Sequence, residues 1–102
     1  PVLSNLADLL CRAGRFAEAA DASSAAAARL AADYPDEAWR SANLDSIRGG
    51  CLFAQDRLSE AEALLRNSVA PLRQRWGDDG LFTQSAVARL DALERSLDPS
   101  RP

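Results

Sequence analysis

The chain has 102 residues, 47% hydrophobic and 26% charged, a composition typical of one small globular domain. Its net charge of −3 argues against a nucleic-acid or anionic-membrane binder. Histidine is absent, which removes the usual general base and the commonest metal ligand. Because 21 residues are alanine and only 6% are aromatic, little bulk is available, which favours closely packed helices over a deep cavity.

Apolar residues recur every three or four positions almost throughout, whereas strict alternation is absent, so an all-α fold is predicted. Turn residues divide this pattern into five helices, at about residues 2–12, 15–33, 37–54, 57–76 and 81–97. Asp36 is the expected N-cap of the third helix. Pro71 is expected to kink the fourth, because its ring removes a backbone hydrogen bond. Gly49 and Gly50 in the third indicate close approach of a neighbouring helix.

An internal repeat with a period of 42 residues underlies these helices. One apolar stripe falls on a second one 42 positions later: Phe16, Ala19, Ser23, Ala26, Leu30 and Tyr34 on Leu58, Ala61, Leu65, Ser68, Leu72 and Trp76. Such a period predicts that each unit is one helical hairpin. The chain is therefore expected to be a single domain, with a first hairpin over 1–34 that is truncated at its start, a second over 35–76, a closing helix over 77–98 and a tail over 99–102.

The residues around the turns carry a family signature. The strings Leu6-Ala7-x-Leu9-Leu10 and Gly14-Arg15-Phe16-x-Glu18-Ala19 resemble the helix-turn-helix signature of the tetratricopeptide repeat, as do Gly49-x-x-Leu52 and Asp56-Arg57-Leu58-x-Glu60-Ala61-Glu62. The period and the link at Trp76-Gly77-Asp78-Asp79 are similar to the longer variant found in kinesin light chains and many bacterial proteins. The resemblance covers essentially the whole chain and implies antiparallel helical hairpins stacked in a right-handed superhelix. Arg48 and Asp56 depart from it, standing where the family usually has leucine and glycine.

The resemblance also implies a function, a protein–protein interaction module that binds a protein or peptide partner in a groove lined by the first helix of each hairpin. The candidate groove residues are Asn5, Asp8, Arg12, Asn43, Ile47, Phe53 and Arg89, with Ser4, Cys11, Ser46, Gly50, Ser85 and Ala92 beside them. Some relatives hold the acidic C-terminal peptide of heat-shock chaperones with a Lys, Asn and Arg clamp. Of that clamp only Arg89 is matched, so the chaperone ligand is not expected.

The N-terminal edge of the predicted stack is apolar and has no covering helix. Together with a start at Pro1 rather than methionine, this suggests a C-terminal fragment of a larger bacterial protein, or a homo-oligomer formed through the N-terminal helix. The alternative hypothesis is a regulatory or oligomerisation segment of a multidomain enzyme such as a bacterial serine/threonine kinase. No apolar run approaches the roughly 20 residues of a membrane span, and a cytoplasmic location is expected.

Reactive groups are sparse in the sequence. Glu18 and Glu60 recur with the repeat and are interpreted as first-turn helix residues. Asp78 and its neighbours lack the alternating acidic ligands of a calcium loop, so no metal site is expected there. Because the sequence has neither a histidine base nor a nucleophile motif, no enzymatic activity and no cofactor are expected either. Cys11 and Cys51 are expected to be half-buried free thiols in a reducing cytosol, with a disulfide between them as the less favoured alternative.

Overall fold

The computed structural model describes residues 2–98, and this part of the chain contains five helices and no strand. The helices are α1 (Val2–Arg12), α2 (Phe16–Asp33), α3 (Ala38–Ala54), α4 (Leu58–Trp76) and α5 (Leu81–Leu97). Every boundary lies within one residue of its predicted position, and the all-α prediction is confirmed. The tail predicted over 99–102 lies outside the described residues.

The first helix of each hairpin ends in the same kind of turn. A residue with positive φ closes it, Gly14 at 77° and Asp56 at 60°. The next backbone N–H then donates to a carbonyl five residues back, from Arg15 to Leu10 at 2.9 Å and from Arg57 to Leu52 at 3.0 Å. Glycine adopts positive φ freely and aspartate tolerates it, so Asp56 closes the second turn in the same way as Gly14 closes the first.

The second helix of each hairpin begins with a matching ion pair. Arg15 donates to Glu18, with Nη2 2.6 Å from Oε2, and Arg57 donates to Glu60 in the same way at 2.9 Å. These contacts agree with a structural role for the two glutamates at the helix start. Turns and ion pairs therefore repeat in the structure with the 42-residue period seen in the sequence.

The start of α3 corrects one prediction. Asp36 is not the N-cap of α3, because the residue before the helix is Glu37. The side chain of Glu37 makes no capping hydrogen bond. The backbone N–H of Glu37 instead donates to the carbonyl of Tyr34 at 3.2 Å, which extends the turn around Pro35 by one residue. The Glu37 carboxylate pairs with Arg40 at 3.2 Å.

The helices form two layers. In one layer α3 lies between α1 and α5 and contacts both of them. The other layer consists of α2, which packs on α1 and α3, and α4, which packs on α3 and α5; α2 and α4 do not pack against each other. The central helix α3 therefore contacts all four others, and the molecule measures 43 × 32 × 19 Å over the described residues.

The core follows the two repeated stripes. In α4, Ala61, Leu65, Ser68 and Leu72 are completely buried, and in α2 the corresponding Ala19, Ser23, Ala26 and Leu30 are buried as well. The close approach predicted at Gly49 is present, because a Cβ atom there would lie 2.7 Å from Cγ of Leu65. α4 runs without interruption through Pro71, and the kink expected there stays a prediction.

Candidate functional site

A pocket of about 430 Å³ opens where α1, α3 and α5 meet. We call it the inner pocket. Its charged groups are Asp8 and Arg12 of α1 and Arg89 of α5. Its apolar wall consists of Phe16, Ile47, Phe53, Ala54 and Ala92, and the two cysteines, Gly14 and Gly50 complete it. Two guanidinium groups and one carboxylate among these residues give the pocket a local charge opposite in sign to that of the whole chain.

Arg89 occupies the junction between α3 and α5. Its Nη1 donates to the hydroxyl of Ser46 at 2.9 Å, which connects it to the central helix. Gly50 makes room for its aliphatic stem, since a Cβ atom at that position would lie 3.2 Å from Cδ of Arg89. Burial of the guanidinium lowers the pKa of Arg89; Asp8 opposes this shift and Arg12 adds to it. The side chain is therefore a partly desolvated cation that hydrogen-bonds to a neutral partner.

No carboxylate within residues 2–98 lies close enough to Arg89 to form an ion pair at 4.0 Å or less. The other arginine in this part of the chain without such a partner is Arg75, which is exposed and lies over the ring of Trp76, 4.0 Å from its centroid. Burying a cation without a counterion costs free energy. Arg89 thus retains unused capacity for an anion that enters the pocket.

Asp8 and Arg12 form the outer rim of the pocket on α1. They are one helical turn apart, and Nη2 of Arg12 lies 3.1 Å from Oδ2 of Asp8. Such an exposed pair stabilises the fold little, by about 0.3 to 0.5 kcal/mol. Both groups can exchange partners at small cost when a ligand approaches.

Cys11 and Cys51 are joined by a disulfide that forms part of the pocket wall. The expectation of two free thiols was therefore wrong. The physical reason is the packing of α1 beside α3, which brings the two Cα atoms to 5.7 Å, a separation that a disulfide spans. The repeat register contained the signal: Cys51 falls on Leu9, so the two cysteines occupy nearby levels of neighbouring helices. The cytoplasmic location stays a prediction.

Most of the predicted groove residues are brought together, and some are not. Asp8, Arg12, Ile47, Phe53 and Arg89 line the inner pocket, as do Cys11, Gly50 and Ala92. Asn5 and Asn43 lie outside it, Asn5 exposed on α1 and Asn43 half-buried on α3. Ser4 and Ser46 are buried and do not line the inner pocket, which corrects their assignment to the groove, and Ser85 is exposed outside the pocket.

Sequence reasoning missed four pocket residues, Gly14, Cys51, Phe16 and Ala54, of which Phe16 and Ala54 belong to the apolar wall. Both lie beside a hairpin turn, where the chain leaves the first helix and enters the second. Whether they line the pocket depends on how the two turns are placed against the layer of α1, α3 and α5, and the periodicity within a single helix does not predict this placement.

Other features do not add a reactive centre in the described part of the chain. Residues 2–98 hold no group of three or more His, Cys, Asp or Glu side chains placed to bind a metal ion. Within the same residues, none of the helices has the length and apolar character needed to cross a membrane.

No known family, curated protein or solved structure matches this chain.

Proposed function

We propose that this chain is a protein-interaction module of the tetratricopeptide type, and that its inner pocket binds a short segment of a partner protein. Arg89 is the anchor in this proposal: it binds a carboxylate of the partner, either an acidic side chain or a chain terminus. The repeat of turns, ion pairs and apolar stripes at 42 residues supports the hairpin array. The packing of first helices side by side supports a groove on their shared face.

The observation that carries the proposal is the unpaired, partly buried guanidinium of Arg89. A carboxylate that reaches it forms a charge-assisted hydrogen bond in surroundings that water screens weakly, so the interaction is stronger than on an open surface. The apolar wall around Ile47 and Phe53 accepts the side chain next to that carboxylate. A pocket of this size holds a few residues of an extended or helical segment.

Selection from a phage-displayed library of random dodecapeptides tests the proposal. Peptides that bind the chain are expected to be enriched in Asp and Glu at one position, because one carboxylate meets Arg89. Arg89→Gln should weaken the selected peptides about ten- to a hundredfold, since a hydrogen bond to a charged group is worth about 1.5–3 kcal/mol.

Arg75→Gln is the matched control. It removes the same charge from an arginine that also lacks an ion pair but lies outside the pocket. Its peptide affinity should equal that of the parent chain. Equal losses in the two variants would mean that net charge alone attracts the peptides, and unchanged binding in Arg89→Gln would contradict the proposed anchor.

A second candidate function, oligomerisation through α1, is favoured by a different observation. Val2, Leu6 and Leu9 form one stripe on the outer face of this helix and are 82%, 42% and 64% exposed. Exposed apolar stripes of this kind commonly mark contact surfaces. Sedimentation over a concentration series should show a dimer that Leu9→Glu dissociates, and a concentration-independent monomer in the parent would exclude this function. A regulatory role beside an enzyme domain stays a prediction.

A further inference from the structure

The disulfide between Cys11 and Cys51 ties a terminal helix to the centre of the molecule at the inner pocket. It joins α1, which carries two of the three charged pocket residues, to α3, which contacts all the other helices. A change in this bond therefore acts on the wall of the pocket.

α1 packs against the rest of the molecule without a large side chain that is fully buried. Its buried residues are Ser4 and Ala7, both small, and its larger apolar residues Leu3 and Leu10 are only half-buried against the core. α5, at the opposite end of the stack, has 17 residues and buries Leu93 completely. The crosslinked helix is thus the one that buries no large side chain completely.

The disulfide is also accessible to a reductant. Both cysteines are half-buried rather than enclosed. Cys51 lines the inner pocket and also a second cavity of about 260 Å³ on its other side, bounded by Phe16, Ser23 and Gln55. A thiolate must reach one sulfur in line with the bond, and access governs that rate.

We propose that this disulfide is a redox-operated latch on α1. Oxidised, it holds the α1 wall of the inner pocket against α3; reduced, it releases that wall. The effect of the latch on binding rests on the proposed function, because release of Asp8 and Arg12 opens the pocket that would hold the partner segment.

The chemistry of the latch is thiol–disulfide exchange with a dithiol protein of the thioredoxin class. A thiolate of the donor attacks one cysteine sulfur, forms a mixed disulfide and expels the other cysteine as a thiolate. The second donor thiol then attacks the mixed disulfide. The chain ends with two thiols and the donor with one disulfide, a transfer of two electrons and two protons. Oxidised glutathione reverses the change by the same exchange.

Hydrogen exchange of the full chain, before and after reduction by a thioredoxin-class dithiol, tests the latch. Amides of α1 should exchange at least tenfold faster in the reduced chain and should lose more protection than those of α5, which change only as far as the global stability falls. The variant Cys11→Ser with Cys51→Ser should show fast α1 exchange with or without the reductant. Unchanged α1 exchange, resistance to the dithiol, or an equal loss of protection in α1 and α5 would overturn the proposal.

Affinity for the selected peptides separates this inference from the proposed function. The latch and the proposed function are both supported if peptides bind the oxidised chain and reduction weakens this binding at least fivefold. The double serine variant should show no such response. If α1 loosens on reduction but no peptide binds either form, the latch stands and the proposed function fails. If peptides bind the two forms equally, the latch does not control the pocket and is overturned.

Discussion

The two helical hairpins share one backbone plan but achieve their packing differently. Where α4 has the buried Leu65, the corresponding position of α2 is Ser23, and where α3 brings Gly49 against a leucine, α1 has Ala7. The first hairpin compensates for its small side chains with a disulfide to α3. The repeat therefore fixes the turns and the helix positions, whereas the volume of the packed side chains varies from unit to unit. We infer that the second hairpin holds the domain together while the first is adjustable.

Leu65→Ala, in the second hairpin, is expected to change the free energy of unfolding most. This side chain is 0% exposed and contacts the position of closest helix approach, so its loss leaves a cavity that neighbours cannot fill without moving. The free energy of unfolding should fall by about 2–5 kcal/mol in urea titration. Ser23→Ala, the matched change in the first hairpin, should alter it by less than about 1 kcal/mol. Similar values for both would show that the hairpins carry equal packing energy.

Reduction of the disulfide tests how much this bond contributes to the stability of the first hairpin. The bond closes a loop with a sequence separation of 40 residues, and the loss of this constraint from the unfolded chain should lower the free energy of unfolding by about 3–4 kcal/mol. The measurement is urea unfolding with and without a thiol reductant. The double serine variant should match the reduced parent. A loss below about 1 kcal/mol would show that packing alone secures the first hairpin.

The two turns predict a smaller difference. Gly14→Ala forces a Cβ atom into positive φ and should destabilise the chain by about 1–2 kcal/mol, although nothing lies within 4 Å of the added atom. Asp56→Gly relieves the same strain in the second hairpin and should stabilise it by less than about 1 kcal/mol. Thermal unfolding measures both. Destabilisation by Asp56→Gly would indicate that the aspartate side chain, rather than backbone freedom, stabilises its turn.

Asp45 gives the smallest predicted effect, and it depends on pH. Burial on α3 raises the pKa of Asp45, with Arg48 opposing the shift. A raised folded pKa means that ionisation costs stability as pH rises through the acidic range. Asp45→Asn should therefore stabilise the chain at neutral pH by less than about 1 kcal/mol, and this advantage should vanish at low pH, where the carboxyl is protonated. An advantage that persists in acid would contradict the burial argument.

The helices and turns were predictable because their determinants are local. Period 3.6 marks the helices, and positions such as Gly14 and Gly77, both with positive φ, mark where they end. The start of α3 was missed by one residue, since Asp36 and Glu37 are both acidic and the choice depended on a backbone bond to Tyr34.

The candidate site was predictable only in part, because it depends on contacts between helices. Placing Asp8 and Arg89 on the first helix of their units followed from the repeat, and they do line one pocket. The burial of Ser46 under Arg89 could not be predicted from the repeat, because the sequence does not show which side chain of a neighbouring helix covers a serine. The disulfide was not favoured for the same reason. The composition suggested a reducing compartment, whereas whether the two cysteines can bond depends on the distance between their helices.

A map of where a selected peptide binds tests the role of the inner pocket most directly. Two-dimensional ¹H–¹⁵N NMR spectra of the oxidised chain should be recorded during titration with a peptide from the dodecapeptide library. We predict that the largest shifts fall on α1, α3 and α5 around Asp8, Gly50 and Arg89, including the guanidinium Nε–H of Arg89. Shifts confined to the outer faces of α2 and α4, with the Arg89 side chain unmoved, would contradict the inner pocket as the binding site.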